Sequence, residues 1–534
     1  MVSVALYDIV IKGGKVLTGA GSPWISTDVG IKDGRIVKVG YIKNPQADVV
    51  INASGKFVTP GFIDPHNHSD LSAMAYPDAT SALLQGVTTI IVGNCGFSAA
   101  PVSKKTKSLL ERYWSTLGPL PVEITWTSFS EYLQQLEKAR PAVNVVPLVG
   151  HGALRIAAMG FEARAPTTEE LEAMKSMLRE SLEAGAFGLS TGLIYPPGSF
   201  STTEEIVELA RVVSEYGGVY TSHIRGESYT LIEAVKEAIE VGRAAGVPVQ
   251  ISHHKAAGRD NWGRVRESLR LMAEARSAGV EVNCDVYPYT AGMTMLAACL
   301  PRWVHEGGVE ALLSRLKDAG ARKKIKDFIE SEVTTWENFV KLAGWEGIVV
   351  SYSEKCKDCE GKSIAEISRM RRADPYEVLF DIILEDEARS TMVVHLMSEE
   401  DVIEVLKSPL SMVGSDSWIM LPKGKPHPRF FGTFPRVIKR YVKELGVLSL
   451  EEAVRKMSSM PAEKFRLGDR GYIAPGFRAD IVVFDLERVA DKATFEVPTL
   501  LPEGVDYVLV NGSLAVENGS ATGVRAGSVL RKLS

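Results

Sequence analysis

The sequence predicts an α/β fold: a (β/α)8 TIM-type barrel, a small β-sandwich domain built from both chain termini, and a helical insertion after barrel strand 7. Three observations predict it. Apolar runs alternate with amphipathic helical patterns through the middle of the chain, as in parallel βα units. Short alternating strands with Asp-Gly and Gly-Gly corners occupy both ends. At 534 residues the chain has room for a barrel and for more than a barrel.

Near the N-terminus, Tyr7-Asp8-Ile9-Val10-Ile11, Asp28-Val29-Gly30-Ile31 and Arg35-Ile36-Val37-Lys38-Val39 read as strands around Gly13-Gly14 and Asp33-Gly34 turns. The C-terminal stretch repeats the pattern in Ala479-Asp480-Ile481-Val482-Val483-Phe484 and Tyr507-Val508-Leu509-Val510-Asn511-Gly512. Two half-sheets at opposite ends of a chain most simply complete each other, so 1–58 and 468–534 are assigned to one β-sandwich. Everything between, 59–467, is assigned to the barrel. Its strands are placed at 56–63, 87–93, 143–149, 186–190, 218–222, 248–252, 280–286 and 410–414, with periodic helices at 169–184, 228–245 and 264–278. The interval 296–390 is too long for one loop and reads as a mostly helical insertion. Its Trp336-Glu337-Asn338-Phe339 neighbourhood is placed over the barrel mouth as a lid.

Composition narrows the function classes. A net charge of -5 with mixed signs leaves no basic footprint for nucleic acid and no polybasic membrane patch. No apolar run approaches the roughly 20 residues of a membrane span, and the start of the chain carries Asp8 in a strand-like pattern instead of a signal segment. A cytoplasmic enzyme acting on a small molecule is the expectation. Five cysteines fit reduced thiols better than a disulfide framework, and Cys356-Lys-Asp-Cys359 reads as a loop or a redox-sensitive site.

In a TIM-type barrel the chemistry belongs at the C-terminal strand ends. The first strand leads into Gly61-Phe62-Ile63-Asp64-Pro65-His66-Asn67-His68, and residues i and i+2 share a face, so His66 and His68 can reach one metal ion. The second strand ends in Cys95, the fifth in His223, the sixth in His253 and His254, the eighth in Asp416. Singly, each is an ordinary core or loop residue; six candidate ligands at one end of one barrel are a constellation. Imidazole, thiolate and carboxylate together suit zinc. Cys95 with His223 and His253 would leave one coordination position open for water, the catalytic pattern. Of the adjacent pair, His253 is taken as the one entering the mouth, with His254 orienting a neighbour. His151 sits near the mouth with no assigned partner, and the Lys104-Lys105-x-Lys107 run reads as a solvated face.

These motifs, with Gly93-Asn94-Cys95-Gly96, Gly188-Leu189-Ser190-Thr191-Gly192, His223-Ile224-Arg225, Ile251-Ser252-His253-His254-Lys255, Asp285-x-Tyr287-Pro288-Tyr289, Ser415-Asp416 and His427-Pro428-Arg429, resemble the N-acyl-D-amino-acid deacylases (D-aminoacylases) of the amidohydrolase superfamily nearly end to end. The resemblance implies zinc held tightly by Cys95, His223 and His253, with His66 and His68 serving a second, weaker site. It implies Asp416 as the catalytic acid/base and Lys255, Tyr287 and Arg429 as the anchors of the substrate α-carboxylate, donors that fix a planar anion. The insertion matches the family least. Arg302 is either the partner of an acidic substrate side chain or a solvated arginine at a helix start. The expected reaction is hydrolysis of an N-acyl-D-amino acid; the alternatives are a cyclic-amide hydrolase of the hydantoinase or dihydropyrimidinase kind, a D-residue-releasing dipeptidase, and a non-catalytic barrel scaffold. Against the cyclic-amide reading, the fourth strand offers no lysine to carboxylate. Oligomeric state is not legible.

Overall fold

Eight parallel strands carry the middle of the chain: β1 (Phe62–Asp64), β2 (Val87–Val92), β3 (Asn144–Pro147, resumed at Val149–Gly150), β4 (Gly188–Gly192), β5 (Val219–His223), β6 (Val249–Ile251), β7 (Val282–Val286) and β8 (Ser411–Val413). The computed structural model describes residues 6–532. β1, β2 and β3 form one parallel sheet, and the resumed part of β3 begins a second that runs through β4, β5, β6 and β7 to β8. Just past their ends the outer members meet: Asn67 bridges Ser417 in parallel, His68 N donates to Ser417 O at 2.8 Å, and Asp416 N donates to His66 O at 2.8 Å. Every residue of these strands is buried. Strands covered on both faces need continuous apolar runs, which is why β2 to β8 fall at their expected places. The first expected strand, 56–63, is instead divided at Gly61, with Phe57–Pro60 in the sheet of the termini and only Phe62–Asp64 in β1.

Helices pack against the strands. Thr168–Glu183 starts at a capping box in which Thr167 accepts from Glu170 N and Glu170 answers the Thr167 backbone. Leu231–Ala245 stops at Gly246, which takes the left-handed conformation a helix end favours. Val265–Ser277 completes the set of expected helices.

The two termini share one nine-stranded sheet. The junction is Ile481–Phe484 antiparallel to Phe57–Pro60, pairing Ile481 with Pro60 and Phe484 with Phe57. One residue later the chain enters β1. Gly61 makes that passage possible: its N donates to Asp480 O at 2.8 Å, and a Cβ there would lie 2.2 Å from the Thr88 hydroxyl.

The insertion is mostly helical, as expected, and a small sheet at its edges and in its middle goes beyond that expectation. Ala291–Met295, Ile348–Tyr352 and Thr391–His395 form a three-stranded antiparallel sheet with Thr391–His395 in the middle, and the helices Val309–Lys317, Ala319–Glu330, Phe339–Gly347, Ile364–Arg371 and Pro375–Glu385 lie between those strands. These strands have only five residues each, too few for periodicity to separate from helix. Cys356 and Cys359, expected as thiols, form a disulfide, because the turn at Lys357–Cys359 brings their Cα atoms to 5.3 Å.

Candidate active site

The strand ends bring every expected ligand into one buried cluster. Cys95 Sγ lies 3.3 Å from His66 Nε2 and 3.4 Å from His253 Nε2. His68 Nε2 lies 3.1 Å and His66 Nε2 3.4 Å from Asp416 Oδ1. His223 packs edge-on against His253 with ring centroids 4.3 Å apart. Three overlapping donor sets result: His66, Cys95 and His253; His66, His68 and Asp416; His223, Glu227 and His253, each with its ligand atoms within 4.8 Å of one another. His66 and His253 are the shared members, so the set around Cys95 reaches His66 as well as His253.

Backbone geometry aims these groups. Cys95, His253 and Asp416 all take positive φ, at 53°, 34° and 52°. Three non-glycine residues in this sparsely populated region, all in the cluster, mark strain held in place by the surrounding packing. Asp64 anchors two of the loops at once, accepting from Ser415 N at 2.8 Å, Asn67 Nδ2 at 2.9 Å and His66 N at 3.2 Å. Asp285, at the end of β7, accepts from His253 N at 2.7 Å and lies 3.2 Å from His66 Nδ1. His254 points away and shares a 2.7 Å hydrogen bond with Ser268, while His253 enters the mouth as the sequence suggested.

Electrostatics fit a cation. Burial works against the Cys95 thiolate, but His66 and His253 overcome it and hold the thiol well below its ordinary range. Burial likewise opposes the Asp416 carboxylate, which Arg429 and His68 keep ionised. Against the same burial, Cys95 and Asp285 hold His66 in its charged form, and Asp416 and Cys95 push His68 up to about 9. Anions that retain protons on buried imidazoles also retain a divalent ion in their place. Among the described residues, neither ring nitrogen of buried His223 has a hydrogen-bond partner, which a metal bond would supply. The donor set of soft thiolate, imidazole and carboxylate fits zinc.

A cationic wall faces the cluster. Arg429 Nη1 lies 2.7 Å from Asp416 Oδ2, and its guanidinium sits 4.9 Å from the Tyr287 ring centre. Lys255 Nζ donates to Glu227 Oε1 at 2.5 Å and lies 5.7 Å from the same ring. Lys255, Tyr287 and Arg429 therefore line one cavity with Cys95, His223, His253 and Asp416. Arg302 does not. It begins the short turn Arg302–His305 and lines a neighbouring cavity that meets the first at Ile194, Tyr195 and Phe339; its buried Nη2 has no partner among the described residues. His151 is also elsewhere, in a buried ion-pair group with Glu205 and Arg155.

Three acids escaped the sequence reading. Glu227 follows His223 by four residues and lies 3.0 Å from His253 Nδ1, so the acid one turn beyond a strand-end histidine was the available signal. Asp285 lay inside a quoted motif without a role. Glu337, in the insertion, accepts from Glu227 N at 2.7 Å, Ser228 N at 3.1 Å and Ser228 Oγ at 3.0 Å, and no local pattern points to a partner 110 residues away.

The Amidohydrolase family model matches residues 49–516. The chain belongs to the amidohydrolase family. Among relatives, this amidohydrolase is 38% identical to an N-acyl-D-glutamate deacylase of Alcaligenes xylosoxydans xylosoxydans, over 98% of this chain and 96% of the relative. It is 35% identical to a D-aminoacylase of the same organism, over 98% of each. Its structure is similar to that of an N-acyl-D-glutamate deacylase from Bordetella bronchiseptica complexed with zinc and a phosphonate inhibitor, with a TM-score of 0.83, 37% identity, and 98% and 99% of the two chains covered. No helix among the described residues of this amidohydrolase is long and apolar enough to cross a membrane.

Proposed function

We propose that this amidohydrolase hydrolyses the amide bond of N-acyl-D-amino acids, releasing a carboxylate and a free D-amino acid. One observation carries the reading. Asp416 holds one oxygen beside His66 and His68 and the other on Arg429, which puts a proton acceptor between a metal-ligand cluster and an anion-binding wall. The D configuration rests on the likeness to the deacylases named above.

Cys95, His223 and His253 would hold zinc, with His66, His68 and Asp416 able to hold a second ion. When bound, zinc supplies a water acidic enough to attack near neutral pH and polarises the amide carbonyl. Asp416 takes the proton of the attacking water on a carboxylate oxygen and delivers it to the amide nitrogen, since an amine leaves only when protonated. Lys255, Tyr287 and Arg429 receive the α-carboxylate and hold the scissile bond in register. Arg302 receives an anionic side chain when the substrate has one.

The same reading takes the eight parallel strands as one closed barrel, supported by the Asn67–Ser417 bridge, and takes 1–58 with 468–534 as a separate β-sandwich domain. A cytoplasmic location goes with it. The cyclic-amide alternative stays weaker because β4 reads Gly-Leu-Ser-Thr-Gly, with no lysine to bridge two metals.

The test is amino-acid release by zinc-loaded protein from N-acetyl-D- and N-acetyl-L-methionine, leucine and glutamate, with dihydrouracil as the cyclic control. Turnover of the D-acyl compounds alone is expected. Turnover of dihydrouracil alone would replace this reading with the cyclic-amide one.

A further inference from the structure

The cavity holding the metal-ligand cluster measures about 60 Å³, yet it adjoins a larger one of about 190 Å³ that the proposed mechanism leaves unused. His68, Leu117, Met293 and Trp418 line both, so the two spaces meet at a metal-ligand histidine. Beyond that junction the larger cavity is walled mainly by apolar side chains, among them Trp114, Leu120, Met420 and Leu421, with Lys423 and Lys425 also on its lining. Aromatic and aliphatic side chains around a channel that starts at a reacting centre fit an apolar extension of the reactant.

Which part of the reactant it takes follows from connectivity. An N-acyl amino acid has an acyl chain attached to the attacked carbonyl carbon, and a carboxylate and a side chain attached to Cα on the far side of the nitrogen. The Cα groups belong with Lys255, Tyr287 and Arg429 and with the cavity reached past Ile194 and Tyr195. The acyl chain begins at the attacked carbon itself, beside His68 and Asp416, which lie 3.1 Å apart. It is the group that starts where the apolar cavity starts.

We propose that this cavity, entered past His68 and Trp418, binds the acyl chain, and that the enzyme prefers longer unbranched acyl groups over acetyl. The inference rests on the deacylase reading above. Each methylene moved from water into such a cavity contributes up to roughly a fourfold gain in kcat/KM when that energy is kept in the transition state.

The experiment compares acetyl, hexanoyl and decanoyl derivatives of one D-amino acid on the zinc-loaded full chain, wild type and Leu421→Trp. N-acetyl-D-tryptophan serves as a control for a large side chain. Leu421 is half exposed in the loop after β8, at 49%, and touches none of the reacting groups, so a larger residue there narrows the cavity without burdening the fold. Hexanoyl and decanoyl substrates are expected to exceed acetyl at least tenfold in kcat/KM. Leu421→Trp is expected to remove most of the decanoyl advantage and to leave acetyl within about twofold. Acetyl turned over fastest would overturn the acyl assignment while leaving the deacylase reading intact. Equal slowing of acetyl and decanoyl by Leu421→Trp, an undiminished decanoyl advantage in that variant, or a selective loss on acetyl-D-tryptophan would also overturn it. No turnover of any D-acyl compound would remove both readings together.

Discussion

The strand-end cluster and the segment from Ala291 to His395 face the same cavity, but they are built by opposite means. In the cluster each functional side chain stands at the end of a buried parallel strand, and its neighbours are backbone groups and acids fixed by other strands, as Asp64 fixes the loops after β1 and β8. The inserted segment reaches the cavity through Met293, Val394 and Phe339, on its small antiparallel sheet and one helix. A rigid parallel frame suits chemistry that tolerates little displacement of its groups. An added layer suits the parts of a site that vary with the substrate. Changes in the cluster should therefore alter turnover or metal content, and changes in the surrounding wall should alter substrate affinity or pH response.

The largest expected effect is at Asp416. Asp416→Asn keeps the shape of the side chain and removes its basicity, so kcat should fall by about 10³-fold while the zinc held by Cys95, His223 and His253 is retained, at least one ion per chain by elemental analysis. Activity within tenfold of wild type would take the proton-transfer role away from this residue. Next is Cys95→Ala, which removes the one thiolate from the set with His66 and His253. The purified protein should lose most of its zinc and its activity together, and chelation of the wild type followed by zinc addition should lose and recover activity. Full zinc content in Cys95→Ala would mean that the imidazoles and carboxylates hold the ion without it.

The wall should respond differently. Among the described residues the Tyr287 hydroxyl has only a 3.6 Å contact, to Met397 Sδ, which leaves it free to donate to a substrate carboxylate. Tyr287→Phe should raise KM by about tenfold to a hundredfold, the worth of one hydrogen bond to a charged group, with kcat within twofold. A fall in kcat at constant KM would place the hydroxyl in the chemistry instead.

Legibility in the sequence divides along the same line. His66, His68, Cys95, His223, His253 and Asp416 were readable because buried parallel strands announce themselves as apolar runs, and a ligand-type residue closing such a run has a known direction. The left-handed φ values of Cys95, His253 and Asp416 were not readable; nothing in a residue's identity states that its neighbours will hold it there. The pairing of Glu227 with Lys255 and His253 joins β5 to β6, and Glu337 joins the insertion to the loop after β5. Such contacts follow from how separate segments pack, and one sequence carries no record of that. The five-residue strands of the insertion were lost for a different reason, because they are too short for a period to show.

The smallest effect sharpens the comparison most, because it lies where the two regions touch. Burial, and then the neighbouring Glu227 carboxylate, push Glu337 up to about 7, while Lys255 and the neighbouring histidines overcome burial to keep Glu227 itself ionised. The folded protein therefore binds a proton at Glu337 that the unfolded chain gives up at an ordinary carboxyl value near 4.5. The stability carried by neutral Glu337 is fully present below about pH 4.5 and is lost as pH rises through about 7. Glu337→Gln keeps an acceptor for the Glu227 and Ser228 amides and removes the titration. The variant should melt a few degrees above wild type at about pH 8 and approach it at about pH 5, with kcat unchanged because no proposed proton passes through this residue. A difference in melting temperature that is the same at both pH values would show that the carboxyl group serves as a tether only. A fall in kcat would move the boundary between the two regions inward, and make the insertion part of the reacting site as well as its cover.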